Sequence, residues 1–194
     1  MSTVAILPAR GGSVRLPRKN IRPFFGKPVL AETISLARAC GLFDEVVVST
    51  DDDQIAGVAH AWYARVWKRP TDDGTRGTQE VAAEVLTRYP SAEHACVIYP
   101  TAALTTVEDL CEGFAALQME ETAFAIAVGA EPLRDAGAFY WGHASAFGIY
   151  PLISEQTRMV VLPEDRICDV NTLADWLELE RKFAKLYHKE GPPL

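Results

Sequence analysis

Thr3-Val4-Ala5-Ile6-Leu7-Pro8 runs straight into Ala9-Arg10-Gly11-Gly12-Ser13-Val14-Arg15-Leu16-Pro17-Arg18-Lys19-Asn20. The first stretch is apolar, short and closed by proline, the pattern of a strand buried on both faces. The second is glycine-rich and basic, and helical periodicity resumes only near Pro28. A strand that opens into a glycine turn ahead of a helix exposes backbone N–H groups and favours phosphate. Six of the chain's 19 basic residues (Arg10, Arg15, Arg18, Lys19, Arg22 and Lys27) fall between positions 10 and 27, with none of its 26 acids. Positive charge is concentrated in one loop of an acidic chain, which fits a small polyanion. A net charge of −7 opposes the broad basic surface that nucleic acids and anionic membranes select. Neither is expected as a partner.

Outward from this loop, short apolar runs alternate with amphipathic ones. Pro28 to Cys40 is helical in period, and Gly41 is a natural stop. EVVVS (45–49) is a second buried strand. Thr50-Asp51-Asp52-Asp53 then caps a helix over 54–62 or binds a metal; the residues allow both. Ala64 to Trp67 is a third strand, followed by the polar loop TDDGTRGT (71–78) and a helix over 80–88. ACVIY (95–99) is a fourth strand, 107–118 a helix and AFAIAV (123–128) a fifth strand. AFYW (138–141) reads as a further strand, antiparallel to the rest, and 158–162 as another extended run. Thr172 with Asp175 starts a closing helix over 173–187, and 191–194 form a tail. The alternation predicts a three-layer α/β fold: a mostly parallel sheet with one antiparallel strand and helices on both faces. Such sheets bind ligands at the carboxyl ends of their strands, where Arg10, Arg69 and Thr101 all lie.

Length fits one domain over 1–194. The start MSTVAILPARGGS lacks signal-peptide architecture, and no apolar run nears the roughly 20 residues of a membrane span; a cytoplasmic location is expected. Cys40, Cys96, Cys111 and Cys168 are too scattered for a metal motif and are expected as free buried thiols. His60, His94, His143 and His188 show no ligand spacing. Neither GxxxxGK[ST] nor GxGxxG occurs, so a nicotinamide or flavin dinucleotide is not supported.

What remains is LPARGGS (7–13), LPRKNIRPFFGKP (16–28), FDEVVVSTDD (43–52), RPTDD (69–73), YPTA (99–102), DAGAFYWG (135–142) and VLPEDRICDVNT (161–172). On these stretches, in this order, the chain resembles the sugar-activating nucleotidyltransferases, and within them the CMP-nonulosonic acid synthetases, or acylneuraminate cytidylyltransferases. DAGAFYWG points to their pseudaminic branch. The resemblance implies a Rossmann-like nucleotidyltransferase fold and transfer of CMP from CTP to a nine-carbon 2-keto sugar acid, with Mg²⁺ holding the phosphates. It implies Arg10 and Lys19 as catalytic phosphate clamps. It makes Gly11, Gly12, Ser13, Asn20 and Arg69 nucleotide contacts, Asn20 toward the ribose and Arg69 toward the cytosine edge. Tyr99, Thr101 and Tyr140 become sugar contacts, and Asp169 and Asn171 metal ligands. On spacing alone, Tyr140 also reads as core and 169–172 as the entry to the last helix.

The chain departs from that resemblance at three places. Val14 stands where a phosphate-facing lysine is expected. Asp169-Val170-Asn171 carries an amide in place of a second acid. Only 129–134 separate two strands where the family's dimerisation arm is expected, which leaves homo-oligomerisation open. A working cytidylyltransferase, a nucleotide-binding homologue with weakened or lost catalysis, and a nucleotidyltransferase for another sugar all fit these residues.

Overall fold

A computed structural model of the chain describes residues 2–70, 75–130 and 133–187. Third in its seven-stranded sheet lies β1 (Ser2–Pro8), with Thr3 to Leu7 buried. It pairs in parallel with β4 (Glu45–Thr50) on one side and β6 (Ala92–Ile98) on the other. The seven-stranded order is completed by β5 (Arg65–Lys68) beyond β4, and by β8 (Arg134–His143), β7 (Phe124–Gly129) and β9 (Thr157–Leu162) beyond β6. Only β8 runs antiparallel, between β6 and β7, while β7 and β9 are parallel. This is the mostly parallel sheet with one antiparallel strand that the alternation predicts, in the Rossmann-like arrangement that the resemblance implies.

Successive side chains of a strand point to opposite faces, so the apolar run of β1 feeds two cores. Ala5 and Leu7 join the core beneath α1 (Val29–Ala39), α2 (Asp53–Ala61) and α4 (Val107–Leu117). Val4 and Ile6 join the other, beneath α3 (Thr78–Leu86) and the segment around Phe147. A third cluster is the one that positions the basic loop. There α5 (Leu173–Tyr187) sets Trp176, Leu179 and Phe183 against Leu16, Phe24 and Val29. Leu16 is 4% exposed, and its burial contributes roughly 1.5–3 kcal/mol. The polar loop therefore stands on apolar legs.

Local signals behave as their chemistry requires. Gly41 has φ +71 just beyond α1. Asp52 Oδ1 accepts the N–H groups of Gln54 (2.8 Å) and Ile55 (3.0 Å), so this residue of the acidic triplet is a helix cap. Thr172 and Asp175 exchange the two bonds of a capping box.

The differences are instructive. A two-residue ribbon, β2 (Pro23–Phe24) with β3 (Lys27–Pro28), was not foreseen. Phe25 (φ +43) and Gly26 (φ +88) close it in the left-handed region, a turn usually signalled by Asn-Gly. β8 is ten residues long instead of the four of AFYW, because Asp135-Ala136-Gly137 belongs to the strand through a bulge. The four cysteines are free, but only Cys96 is fully buried and Cys111 is exposed, on the outer side of α4. His94 is a buried core residue. His188, the tail 191–194, part of the loop after Arg69 (71–74) and part of the short connection before Asp135 (131–132) lie outside the described residues. Among the described residues no helix is long and apolar enough to cross a membrane.

Candidate active site

A cavity of about 290 Å³ opens at the carboxyl ends of β1 and β6. One wall is the loop after β1, contributing Arg10, Ser13, Val14, Arg15, Lys19 and Asn20. The opposite wall is Arg69, at the end of β5, with Arg76, Thr78 and Val81 at the start of α3. Tyr99, Pro100 and Thr101, just past β6, and Asp169 and Asn171, before α5, close the remaining sides. The Thr33 hydroxyl of α1 donates to the Pro100 carbonyl at 2.9 Å and steadies that edge. Among the described lining residues five are cationic and one, Asp169, is a carboxylate.

Half of the basic run is structural. Arg18 donates to Asp52 Oδ2 at 2.7 Å. Arg22 lies over the Trp176 ring at 5.3 Å, and Lys27 pairs with Glu32 at 3.0 Å. Arg10, Arg15 and Lys19 are the three that reach the cavity. Asn20, 4% exposed, donates Nδ2 to the Arg10 carbonyl at 3.0 Å, so it braces the loop as well as lining the cavity. Lys19 Nζ donates to the Val170 carbonyl at 2.6 Å. Burial pulls the Lys19 ammonium below its usual range, with Asp169 opposing and Arg15 and Arg10 adding to the fall.

Four expected site residues are engaged or placed otherwise than the resemblance implies. The Gly11 N–H is not free for a phosphate, because it donates to Asp51 Oδ1 at 2.8 Å. What this glycine supplies is room: a Cβ there would lie 2.8 Å from both Cβ and Oδ2 of Asp52. Gly12 is exposed and absent from the cavity wall. Tyr140 is fully buried in the core, and its hydroxyl donates to Thr78 Oγ1 at 3.0 Å. It supports the cavity from behind without lining it, because β8 turns that face of the strand toward α3. The tyrosine at the cavity is Tyr99, whose phenol is raised to about 12 by burial, with Asp135 and Asp169 adding and Thr78 opposing.

Asn171 is the fourth. Its Oδ1 accepts from Arg15 Nη2 at 2.8 Å, while Nδ2 donates to Asp169 Oδ2 at 2.7 Å. Both ends of the amide are engaged within the protein, the oxygen through one of its two lone pairs. Asp169 does fit a hard cation, being an exposed carboxylate on a cavity edge. Mg²⁺ characteristically takes one or two carboxylates and fills its octahedron with phosphate oxygens and water. No group of three or more His, Cys, Asp or Glu able to hold a metal occurs among the described residues.

Two contributors were not legible in the sequence. Arg76, just before α3, reaches the cavity and is ion-paired with Glu84 eight residues on, within that helix. Gly137, φ +61, sits in the β8 bulge directly against Asp169; a Cβ there would lie 2.8 Å from Asp169 Cβ and 3.1 Å from its Cα. The glycine in DAGAFYWG was the available signal, since a glycine inside a strand marks a bulge or a close approach.

The family model described as Cytidylyltransferase matches residues 4–143. The pseudaminic acid cytidylyltransferase of Campylobacter jejuni is 30% identical over 232 aligned positions, covering 98% of this chain and all of the relative. Among solved structures, the synthetase of CMP-2-keto-3-deoxy-manno-octonic acid complexed with CTP superposes with a TM-score of 0.78 at 16% identity, covering 96% of this chain and 100% of that one. A Mycobacterium tuberculosis protein in complex with manganese superposes with a TM-score of 0.70 at 16% identity, covering 93% and 99%. The structures carry the fold; the family model and the full-length relative carry more, and on them the chain belongs to the cytidylyltransferase family of nucleotidyltransferase enzymes.

Proposed function

We propose that this chain transfers CMP from CTP to a nine-carbon 2-keto sugar acid of the pseudaminic or related acylneuraminate type, releasing pyrophosphate. The observation that carries the reading is the charge of the cavity, five cations and one carboxylate among its described lining residues, at the carboxyl ends of a mostly parallel sheet. That balance suits a triphosphate and a sugar carboxylate brought together. The full-length likeness to a pseudaminic acid cytidylyltransferase supports the choice of sugar class.

In this reading Arg10 and Lys19 neutralise the phosphoryl oxygens, which is the main catalytic work of a phosphoryl-transfer site. The Ser13 hydroxyl assists them, and Gly11 and Gly12 shape the loop that carries them. Asn20 meets the ribose, Arg69 reads the cytosine edge, and Tyr99 and Thr101 bound the sugar. Asp169 holds Mg²⁺, which supplies charge neutralisation to the triphosphate. The sugar's anomeric oxygen attacks the α-phosphorus, and its P–O bond forms as the bond to the bridging oxygen of the β-phosphate breaks. Pyrophosphate leaves with that electron pair, and the anomeric proton passes to solvent. We propose further that 1–194 act as one nucleotidyltransferase domain without a dimerisation arm. In support, the alignment to the Campylobacter relative spans 232 positions against 194 residues here.

The test is pyrophosphate release from CTP with Mg²⁺ across a panel of nonulosonic acids and the eight-carbon 3-deoxy-manno-octulosonic acid. Turnover with CTP and a nine-carbon acid is expected. Preference for ATP, GTP or UTP would overturn the cytidine assignment, and preference for the eight-carbon acid the sugar class. CTP binding with no turnover anywhere would make the chain a nucleotide-binding homologue.

A further inference from the structure

One side-chain amide joins the basic loop to the only carboxylate among the described residues of the cavity wall. Asn171 Oδ1 holds Arg15 Nη2 at 2.8 Å, and Asn171 Nδ2 holds Asp169 Oδ2 at 2.7 Å. Next to it, Lys19 Nζ holds the Val170 carbonyl at 2.6 Å. Segment 169–171 is thus gripped by two cations of one loop, each through a neutral oxygen.

Neutrality is the point of interest. An acid at 171 would hold Arg15 as an ion pair and cancel the charge it presents to a phosphate. It would also set a second negative charge two residues from Asp169, and it could donate no hydrogen bond to it. An amide is the side chain that accepts on one oxygen and donates on one nitrogen at this reach. Val14, which precedes Arg15, is 87% exposed and carries no charge, so Arg15 is the cation at the loop's tip.

We propose that Asn171 is a positioning residue for both partners of the nucleotide: it aims Arg15 into the cavity with its charge intact, and it occupies one oxygen of Asp169 so that the other is left for the metal. The inference rests on the cytidylyltransfer reading above. It makes Arg15 and Asn171 a single functional unit in binding CTP.

The experiment is equilibrium binding of CTP in EDTA, and of Mn²⁺ alone, to the wild-type chain and to Asn171→Ala, Asn171→Asp, Arg15→Ala and the Asn171→Ala/Arg15→Ala double variant. Thermal melting of each checks the fold. Asn171→Ala and Arg15→Ala are each expected to weaken metal-free CTP binding about tenfold, and the double variant to be no weaker than Arg15→Ala. Asn171→Asp is expected to move the two ligands in opposite directions, with CTP weaker and Mn²⁺ tighter. A merely structural role would weaken both. The proposal is overturned if Asn171→Ala binds CTP like the wild type, if the two single effects add, or if Asn171→Asp shifts both ligands the same way. Failure of the wild type to bind CTP at all would instead sink the cytidylyltransfer reading, and this inference with it.

Discussion

Gly137→Ala tests how the sheet positions Asp169, the carboxylate proposed to hold the metal. Two separate costs are present at this residue. Its φ of +61 is left-handed, which costs an alanine about 1–2 kcal/mol. The added Cβ would also sit 2.8 Å from Asp169 Cβ and 3.1 Å from Asp169 Cα. The second neighbour is backbone, so relief requires the chain before α5 to move, and overpacking of this kind costs about 1–3 kcal/mol more. Together these give about 2–5 kcal/mol, or a melting temperature lower by about 4–20 °C in a domain of this size. Gly26→Ala is the control. Its φ is +88 but nothing lies within 4 Å of its Cβ position, so it carries the conformational cost alone, about 2–8 °C. Calorimetry of the two variants isolates the Asp169 contact as their difference. Displacing Asp169 is also expected to lower the metal-dependent rate of pyrophosphate release about tenfold, which Gly26→Ala leaves intact. A Gly137→Ala variant that melts and turns over like Gly26→Ala would refute the reasoning.

Arg10→Ala and Lys19→Ala are each expected to lower kcat/KM roughly 10²–10³-fold in the CTP turnover assay. Lys19→Ala also melts lower than Arg10→Ala, because it alone loses the bond to the Val170 carbonyl; near-normal rates in both would remove the loop from catalysis. Tyr140→Phe removes a hydroxyl that donates to Thr78 Oγ1 behind the cavity, at a cost of about 0.5–1.5 kcal/mol by urea denaturation. Its turnover is expected to hold, and a collapse in kcat would return Tyr140 to the sugar pocket. Burial, then the neighbouring His143, lower the pKa of His94 in the folded chain, against a weaker pull from Glu93. The unfolded chain therefore takes up the proton first, near pH 6.5. Stability from this group is complete above that pH and is lost as pH falls through it toward the folded-state value. Urea midpoints from pH 8 to 5 should fall more steeply in the wild type than in His94→Gln, and parallel curves would contradict this.

The fold was largely legible because its signals are local. Buried parallel strands read as nearly continuous apolar runs, as in TVAILP, EVVVS and AFAIAV, and helix ends must satisfy their N–H and C=O groups, as Asp52, Gly41 and Thr172 do. β8 was read short because its bulge resembles a turn: an acid and a glycine interrupt the apolar run, and only pairing to β6 and β7 makes the segment a strand.

Charge and composition alone concentrated the candidate site in residues 10–27 and pointed to an anionic ligand for it. Sequence could not divide the six cations there, because their partners are 34 to 156 residues away for Arg18 and Arg15, or on another element for Arg22. Tertiary structure made that division, sending Arg18 to Asp52, Arg22 to Trp176 and Arg15 to Asn171. It also turned Tyr140 into the core, since which side of a strand faces solvent depends on what packs upon it. A chain announces strands, caps and charge through neighbours in sequence. Which charge meets a ligand is decided by neighbours in space, where each cation's nearest acceptor is fixed only once the sheet and α5 have closed around the loop.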